Sequence, residues 1–137
     1  MIVADTGAIL ALVDADDRHH AVVRDLFLAA PDHWILPWAI LPEVDYLARR
    51  LLGADAARAF HGDVARGAFL VEWDGGADLA RAAELDRLHE TMGIGLVDGV
   101  VMAMAERLDA EAIATLDLRD FGAVTLRGTP KLYPRDL

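Results

Sequence analysis

The 137-residue chain contains no cysteine. That excludes disulfides and thiolate-bound metals, and it suits a reducing compartment. No apolar run approaches the roughly 20 residues needed to cross a bilayer. Nor does the N-terminus show a basic segment leading into an apolar run and a small-residue cleavage site. The expectation is a soluble cytoplasmic protein with no membrane partner. Basic residues are also scarce: 13 Lys and Arg against 23 Asp and Glu leave a formal net charge of −10. A nucleic-acid binder ordinarily carries a basic face, but net charge governs solubility and steering, not what one pocket holds. Acids gathered in one site would inflate the negative total, and bound divalent cations would reverse the sign locally. The same acidity suits a basic protein partner. Repeats, low-complexity tracts and linkers are absent, and the length fits one domain over residues 1–137.

What is present begins with Met1 to Asp14. A short, uniformly apolar run, Met1-Ile2-Val3-Ala4, predicts a buried strand, and Ala8 to Val13 predicts a buried helix. Asp5-Thr6-Gly7 lies between them, so an acid sits where a strand ends and a helix begins. In open α/β sheets ligands bind outside the carboxyl ends of the strands, which places Asp5 at a site mouth.

The remaining chain alternates in the same way. His20 to Ala30 has helical spacing, and Trp34 to Pro37 reads as a short strand. Val44, Leu47, Ala48 and Leu51 share one helical face, and Pro42 is tolerated only in the first turn, so Glu43 lies near that helix's N-terminus. Gly53 closes it, and Ala56, Ala57, Phe60 and Val64 suggest another helix. Phe69 to Val71 reads as a strand, Gly75-Gly76 as a tight loop, and Ala77 to Met92 as a helix stopped by Gly93 and Gly95. Residues 97–108 fit the helical template at every apolar position, with Asp98 in the first turn. Ala112 to Thr115 reads as a central strand with Asp117 two residues beyond it, and Val124 to Leu126 as a short edge strand. This alternation predicts an α/β fold, a central parallel sheet with helices on both faces. Asp5, Glu43, Asp98 and Asp117 then share one mouth.

Carboxylates in one cleft repel, at a cost on the order of a few kcal/mol per close pair for an effective dielectric of ~20. A shared proton or a hard divalent cation must offset this. Asp and Glu without cysteine or a convincing histidine pair favour Mg²⁺ or Mn²⁺ over Zn²⁺. Such an ion completes its shell with water and phosphate, which is the logic of metal-assisted phosphodiester hydrolysis. The repulsion also predicts that Asp5→Ala raises the melting temperature of the metal-free protein.

Four segments together carry a resemblance: Val3 to Leu12; Leu41-Pro42-Glu43-Val44; Gly95 to Ala103 around Asp98; and Ala114-Thr115-Leu116-Asp117-Leu118-Arg119-Asp120-Phe121. Each is weak alone, but in this order they resemble the PIN-domain family, and within it the VapC-type toxin ribonucleases of toxin–antitoxin systems. The resemblance implies a single PIN-like nuclease domain and a metal-dependent endoribonuclease. It puts Asp5, Glu43, Asp98 and Asp117 at the family's acidic positions as metal-binding and catalytic residues. It further implies Mg²⁺ or Mn²⁺, an RNA substrate, a homodimer and a cognate antitoxin. In such pairs an antitoxin segment lies in a groove between helices and brings a basic side chain toward the acids. One departure is Gly7, where the family more often has serine; a hydroxyl contact to the metal or its water is lost, and Thr6 is the nearby substitute. Asp120 varies in the family and is carried as an outer-shell acid.

Plainer readings stand beside these. An isolated Asp before a helix is usually an N-cap, and it is the joint pattern that favours function. Asp120 fits a cap or turn former before Phe121-Gly122. Thr6 and Thr115 are candidates to orient a ligand carboxylate, with satisfaction of backbone groups as the alternative. Adjacent His19 and His20 point different ways on a helix and read as surface residues. Trp34, Trp38 and Trp73 read as core or interface, because none belongs to an aromatic series. Two rival functions remain. Ala4-Asp5-Thr6-Gly7-Ala8 also matches a retroviral-type aspartic protease, an all-β dimer that the helical patterning here opposes; such a carboxyl dyad needs no cation. The other rival is a catalytically silent PIN-like binding module, which cleavage of RNA with Mg²⁺ would separate from a nuclease.

Overall fold

A computed structural model describes residues 1–137. Three short strands make the centre of a five-stranded, all-parallel sheet: β1 (Ile2–Ala4), β2 (Trp34–Pro37) and β4 (Ala112–Ala114). Every residue of all three is buried, as expected of a parallel sheet covered on both faces. The edges are β3 (Leu70–Glu72) and β5 (Lys131–Tyr133), in the order β3-β2-β1-β4-β5. Seven α-helices connect and cover the strands: α1 (Thr6–Val13), α2 (His20–Ala29), α3 (Ile40–Leu52), α4 (Ala54–Ala65), α5 (Gly76–Leu88), α6 (Gly95–Arg107) and α7 (Leu118–Ala123). None is long and apolar enough to cross a membrane.

The strand order determines where a site can form. From β1 the chain moves outward through β2 to β3, then returns across the sheet to β4 on the other side of β1. The winding reverses between β1 and β4, and in such sheets the crevice at that reversal is the ligand site. The registers Ile2 opposite Ala112 and Ala4 opposite Ala114 bring both strands to an end side by side, and the Asp5 amide donates to the Ala114 carbonyl at 2.9 Å.

Beneath the crevice, α6 is buried continuously from Gly99 to Ala105. It packs closely on α5: a methyl group on Gly99 would stand 3.0 Å from Cβ of Ala82. Two ion-pair sets clamp the same helices. Arg107 makes paired bonds of 2.9 Å to both carboxylate oxygens of Asp78, which is only 1% exposed. Arg81 grips Glu106 at 2.7 and 3.1 Å.

The expected elements differ from the observed ones in several places. The edge strand expected at Val124 to Leu126 does not form, although Val124 and Leu126 are buried. The edge strand is instead Lys131–Tyr133 in the tail, held by the pairing of Leu132 with Ile113. Gly75-Gly76 is not a free turn, because Gly75 caps α5 and Gly76 begins it. Gly95 likewise begins α6. The helix expected to reach Met92 ends at Leu88, and a separate 3-10 turn spans Glu90–Met92. Leu51, expected on the buried face of α3, is 65% exposed, and Trp73, expected in core or interface, is 68% exposed in this chain.

Candidate active site

Each candidate acid owes its position to a helix start. Asp5 is the N-cap of α1, in extended conformation, and its Oδ1 accepts from the Thr6 amide at 2.7 Å. Glu43 and Asp98 stand in the first turns of α3 and α6. Asp117 caps α7 by accepting from the Asp120 amide at 3.2 Å. The capping reading and the site reading therefore hold together: caps and first turns are where a sheet edge and a helix N-terminus converge.

All four acids line one cavity of about 420 Å³, with Thr6, Gly7, Leu10, Leu47 and residues 94–97 completing its wall. No lysine, arginine or histidine lines it. The tightest grouping is a trio. One carboxylate oxygen from each of Asp98, Asp117 and Asp120 lies within 4.8 Å of the other two, while Asp5 and Glu43 stand outside that trio. Asp120 thus stands beside Asp98 and Asp117, although it does not line the cavity itself. Its Oδ1 is buried without a hydrogen-bond partner.

The electrostatics show the strain. Burial, partly countered by the bonds from Thr115 and Thr6, pushes the Asp5 carboxyl up to about 6, with repulsion from Glu43 and Asp117 adding to the rise. Burial followed by repulsion from Asp5, Asp117, Glu43 and Asp120 pushes Asp98 up to about 7. Burial plus specific charged neighbours in a cleft is the combination that makes these two acids functional-site candidates. The donor set is all hard oxygen, which suits a divalent cation that prefers oxygen ligands. Thr6 adds an orphan hydroxyl: it is 4% exposed, lines the cavity, and its Oγ1 has no partner. Such a set is what an ion with its water shell would satisfy. Beside Gly7 a Cβ would meet only Leu116 Cβ at 3.9 Å, so nothing steric demands glycine there.

Thr115, 0% exposed, lies behind this wall. Its hydroxyl donates to Asp5 Oδ2 at 2.9 Å and accepts from the Asp117 amide at 3.0 Å. No histidine lines the cavity; His20 bonds the Ala11 carbonyl at 2.8 Å through Nδ1, and His61 approaches Asp45 at 2.9 Å. The helix that brings Asp120 next to Asp98 is six residues long, too short to announce itself by periodicity. The available signal was the three-residue offset of Asp120 from Asp117, which returns a side chain to the same helical face.

Comparison with known proteins agrees with this geometry. The family described as PIN domain matches residues 2–125. Ribonuclease VapC26 of Mycobacterium tuberculosis (strain ATCC 25618 / H37Rv) is 31% identical over 123 residues, covering 90% of this chain and 91% of the relative. Among solved structures, that of Mycobacterium tuberculosis VapC20, described as a sarcin-ricin loop cleaving toxin, superposes with a TM-score of 0.81 at 23% identity. It covers 93% of this chain and 98% of the other.

Proposed function

This chain belongs to the PIN-domain family, and from that premise we propose that it is a metal-dependent endoribonuclease, the toxin of a VapBC-type pair. The observation that carries the reading is the convergence of Asp5, Glu43, Asp98 and Asp117 on one cavity without a cation in its wall. Asp120 joins them through the trio it forms with Asp98 and Asp117. These carboxylates would hold Mg²⁺ or Mn²⁺. When bound, the ion polarises a phosphodiester, lowers the pKa of a water and stabilises the leaving oxygen.

The chain's own residues have distinct parts in this reading. Asp5, with an amide donor on one oxygen and a hydroxyl donor on the other, is an oriented ligand. Asp98, repelled by four neighbouring acids and raised to about 7, is the group that most needs a counter-ion. If it is protonated when no cation is present, it releases that proton as the site fills. Glu43 reaches the cavity from the first turn of α3 and would complete the ion's acidic shell from that side. A homodimer, a cytoplasmic location and an antitoxin whose basic side chain substitutes for the cation complete the proposal. The 31% identical ribonuclease supports the nuclease over a silent binding module. The parallel α/β sheet opposes the all-β protease reading of the Asp-Thr-Gly string.

The deciding experiment is single-turnover cleavage of a panel of structured RNAs, a sarcin-ricin stem-loop among them, with Mg²⁺, Mn²⁺ or chelator. Wild-type protein should cut only with the cation. Asp98→Asn should lose at least about a hundredfold in rate while its circular dichroism stays native. Equal cutting by both proteins would overturn the assignment.

A further inference from the structure

We propose that Thr115 is a positioning residue, whose hydroxyl couples Asp5 beyond β1 to Asp117 beyond β4 and so sets the geometry of the ion-binding edge. The inference rests on the reading of the cavity as a divalent-cation site, and it adds a residue that would touch neither ion nor RNA.

The bonding pattern is more specific than local satisfaction requires. The backbone amide of Thr115 already donates to the Tyr133 carbonyl at 3.0 Å, so the strand end is paired without help from the side chain. A hydroxyl has one proton to give, and here it goes to a carboxylate oxygen 110 residues away, Oδ2 of Asp5 at 2.9 Å. Its acceptor side receives the Asp117 amide at 3.0 Å, which fixes the start of the loop that presents the Asp117 carboxylate. Thr6 NH holds the other oxygen of Asp5 at 2.7 Å. With one donor on each oxygen, the plane of the Asp5 carboxylate is fixed and a lone pair on each oxygen is left over. Asp98, in contrast, stands in the first turn of α6, away from that strand-end network. The site thus has a rigid edge, built on two adjacent strands and tied by Thr115, and a second edge carried on α6. Partners that orient metal ligands without touching the metal commonly matter by ten- to a hundredfold in affinity.

The test is Mn²⁺ binding, followed by calorimetry and by the resonance of free Mn²⁺, on the wild-type protein, Thr115→Val, Thr115→Ser and Asp98→Asn. Valine keeps the shape and removes the hydroxyl; serine keeps the hydroxyl. Thr115→Val should bind Mn²⁺ at least about tenfold more weakly in its folded fraction, with a lower melting temperature because Asp5 Oδ2 and the Asp117 amide lose a buried partner. Thr115→Ser should bind like wild type, and excess Mn²⁺ should restore RNA cutting by the valine variant. Valine binding as tightly as wild type, or serine binding as weakly as valine, would overturn the role of the hydroxyl alone. Wild-type protein that binds no Mn²⁺ would overturn the ion site itself and this inference with it. Should Thr115→Val not fold, Thr115→Ala serves in its place. Should that fail too, exchange of the wild-type Thr115 hydroxyl proton decides: slow exchange supports the bond to Asp5, and exchange at the rate of a free hydroxyl overturns it.

Discussion

At the scale of single residues, Asp5 and Asp98 show how one side-chain type can carry opposite burdens. Both are raised above the ordinary aspartate value of 3.8, yet Asp5 accepts two hydrogen bonds that oppose the rise, whereas burial and repulsion from four acids act on Asp98 in one direction. Truncating Asp5 therefore forfeits bonds from Thr6 and Thr115 as it relieves repulsion, so Asp5→Ala is a poor test of crowding. Asp98→Asn relieves repulsion without that loss. The sign of the pH effect follows from linkage: between the ordinary value of 3.8 and the folded values of about 6 and about 7, the folded protein holds more protons than the unfolded one. Stability of the metal-free protein therefore falls as pH rises through this window, and the loss is complete above it. Scanning calorimetry should give a melting temperature roughly 5 °C or more higher at pH 5.5 than at pH 8. Mn²⁺ added at pH 8 should close the gap, and Asp98→Asn should flatten the pH dependence. A melting temperature that rises with pH in the absence of metal would contradict the crowding.

Helices α5 and α6 illustrate the scale of elements. Asp98 projects from a helix whose next residue, Gly99, admits α5 to close range, and whose last residues are held by the Arg107–Asp78 and Arg81–Glu106 pairs. Breaking a buried pair by deleting one partner costs about 3–5 kcal/mol. Arg107 keeps 31% side-chain exposure and a second carboxylate, Glu72, at 3.8 Å, which lowers the expected cost. Asp78→Ala should therefore destabilise by about 2–3 kcal/mol in urea unfolding. It should leave the Mn²⁺ affinity of the folded fraction unchanged, since neither partner lines the cavity and Arg107 sits at the opposite end of α6 from Asp98. The element least legible beforehand is α7. Its six residues, Leu118–Ala123, offer too few turns for an apolar stripe, yet it is the element that turns Asp120 toward Asp98.

For the whole molecule, a net charge of −10 and a cavity wall without a basic side chain give the empty cavity nothing to attract the RNA backbone. An ion held there would reverse the local sign, so the cation is expected to aid binding as well as cutting. Fluorescence anisotropy with a labelled, cleavage-resistant RNA should show affinity tightening at least about tenfold when Mg²⁺ or Mn²⁺ is added at constant ionic strength. Equal binding in chelator would point to a basic surface outside the cavity. The same charge balance favours a basic antitoxin segment over a second acidic chain as the occupant of the mouth.

Local chemistry was enough to place the acids. Apolar runs ending on Asp5, the proline that confines Glu43 to a first turn, the stripe that puts Asp98 at the start of α6, and the alternation that predicts a parallel sheet are all written within windows of a few residues. Tertiary structure decided the rest. Whether a tail strand or Val124 to Leu126 forms the edge depends on which backbone reaches β4 in register, and Leu132 opposite Ile113 is a pairing between distant segments. Leu51 has the right spacing for burial but lies in the last turn of α3 and is exposed. The hydroxyl of Thr115 meets Asp5 only because β1 and β4 lie side by side. Periodicity reports which face of a segment turns inward. Which side chains meet there depends on strand order and register, and those are properties of the assembled sheet.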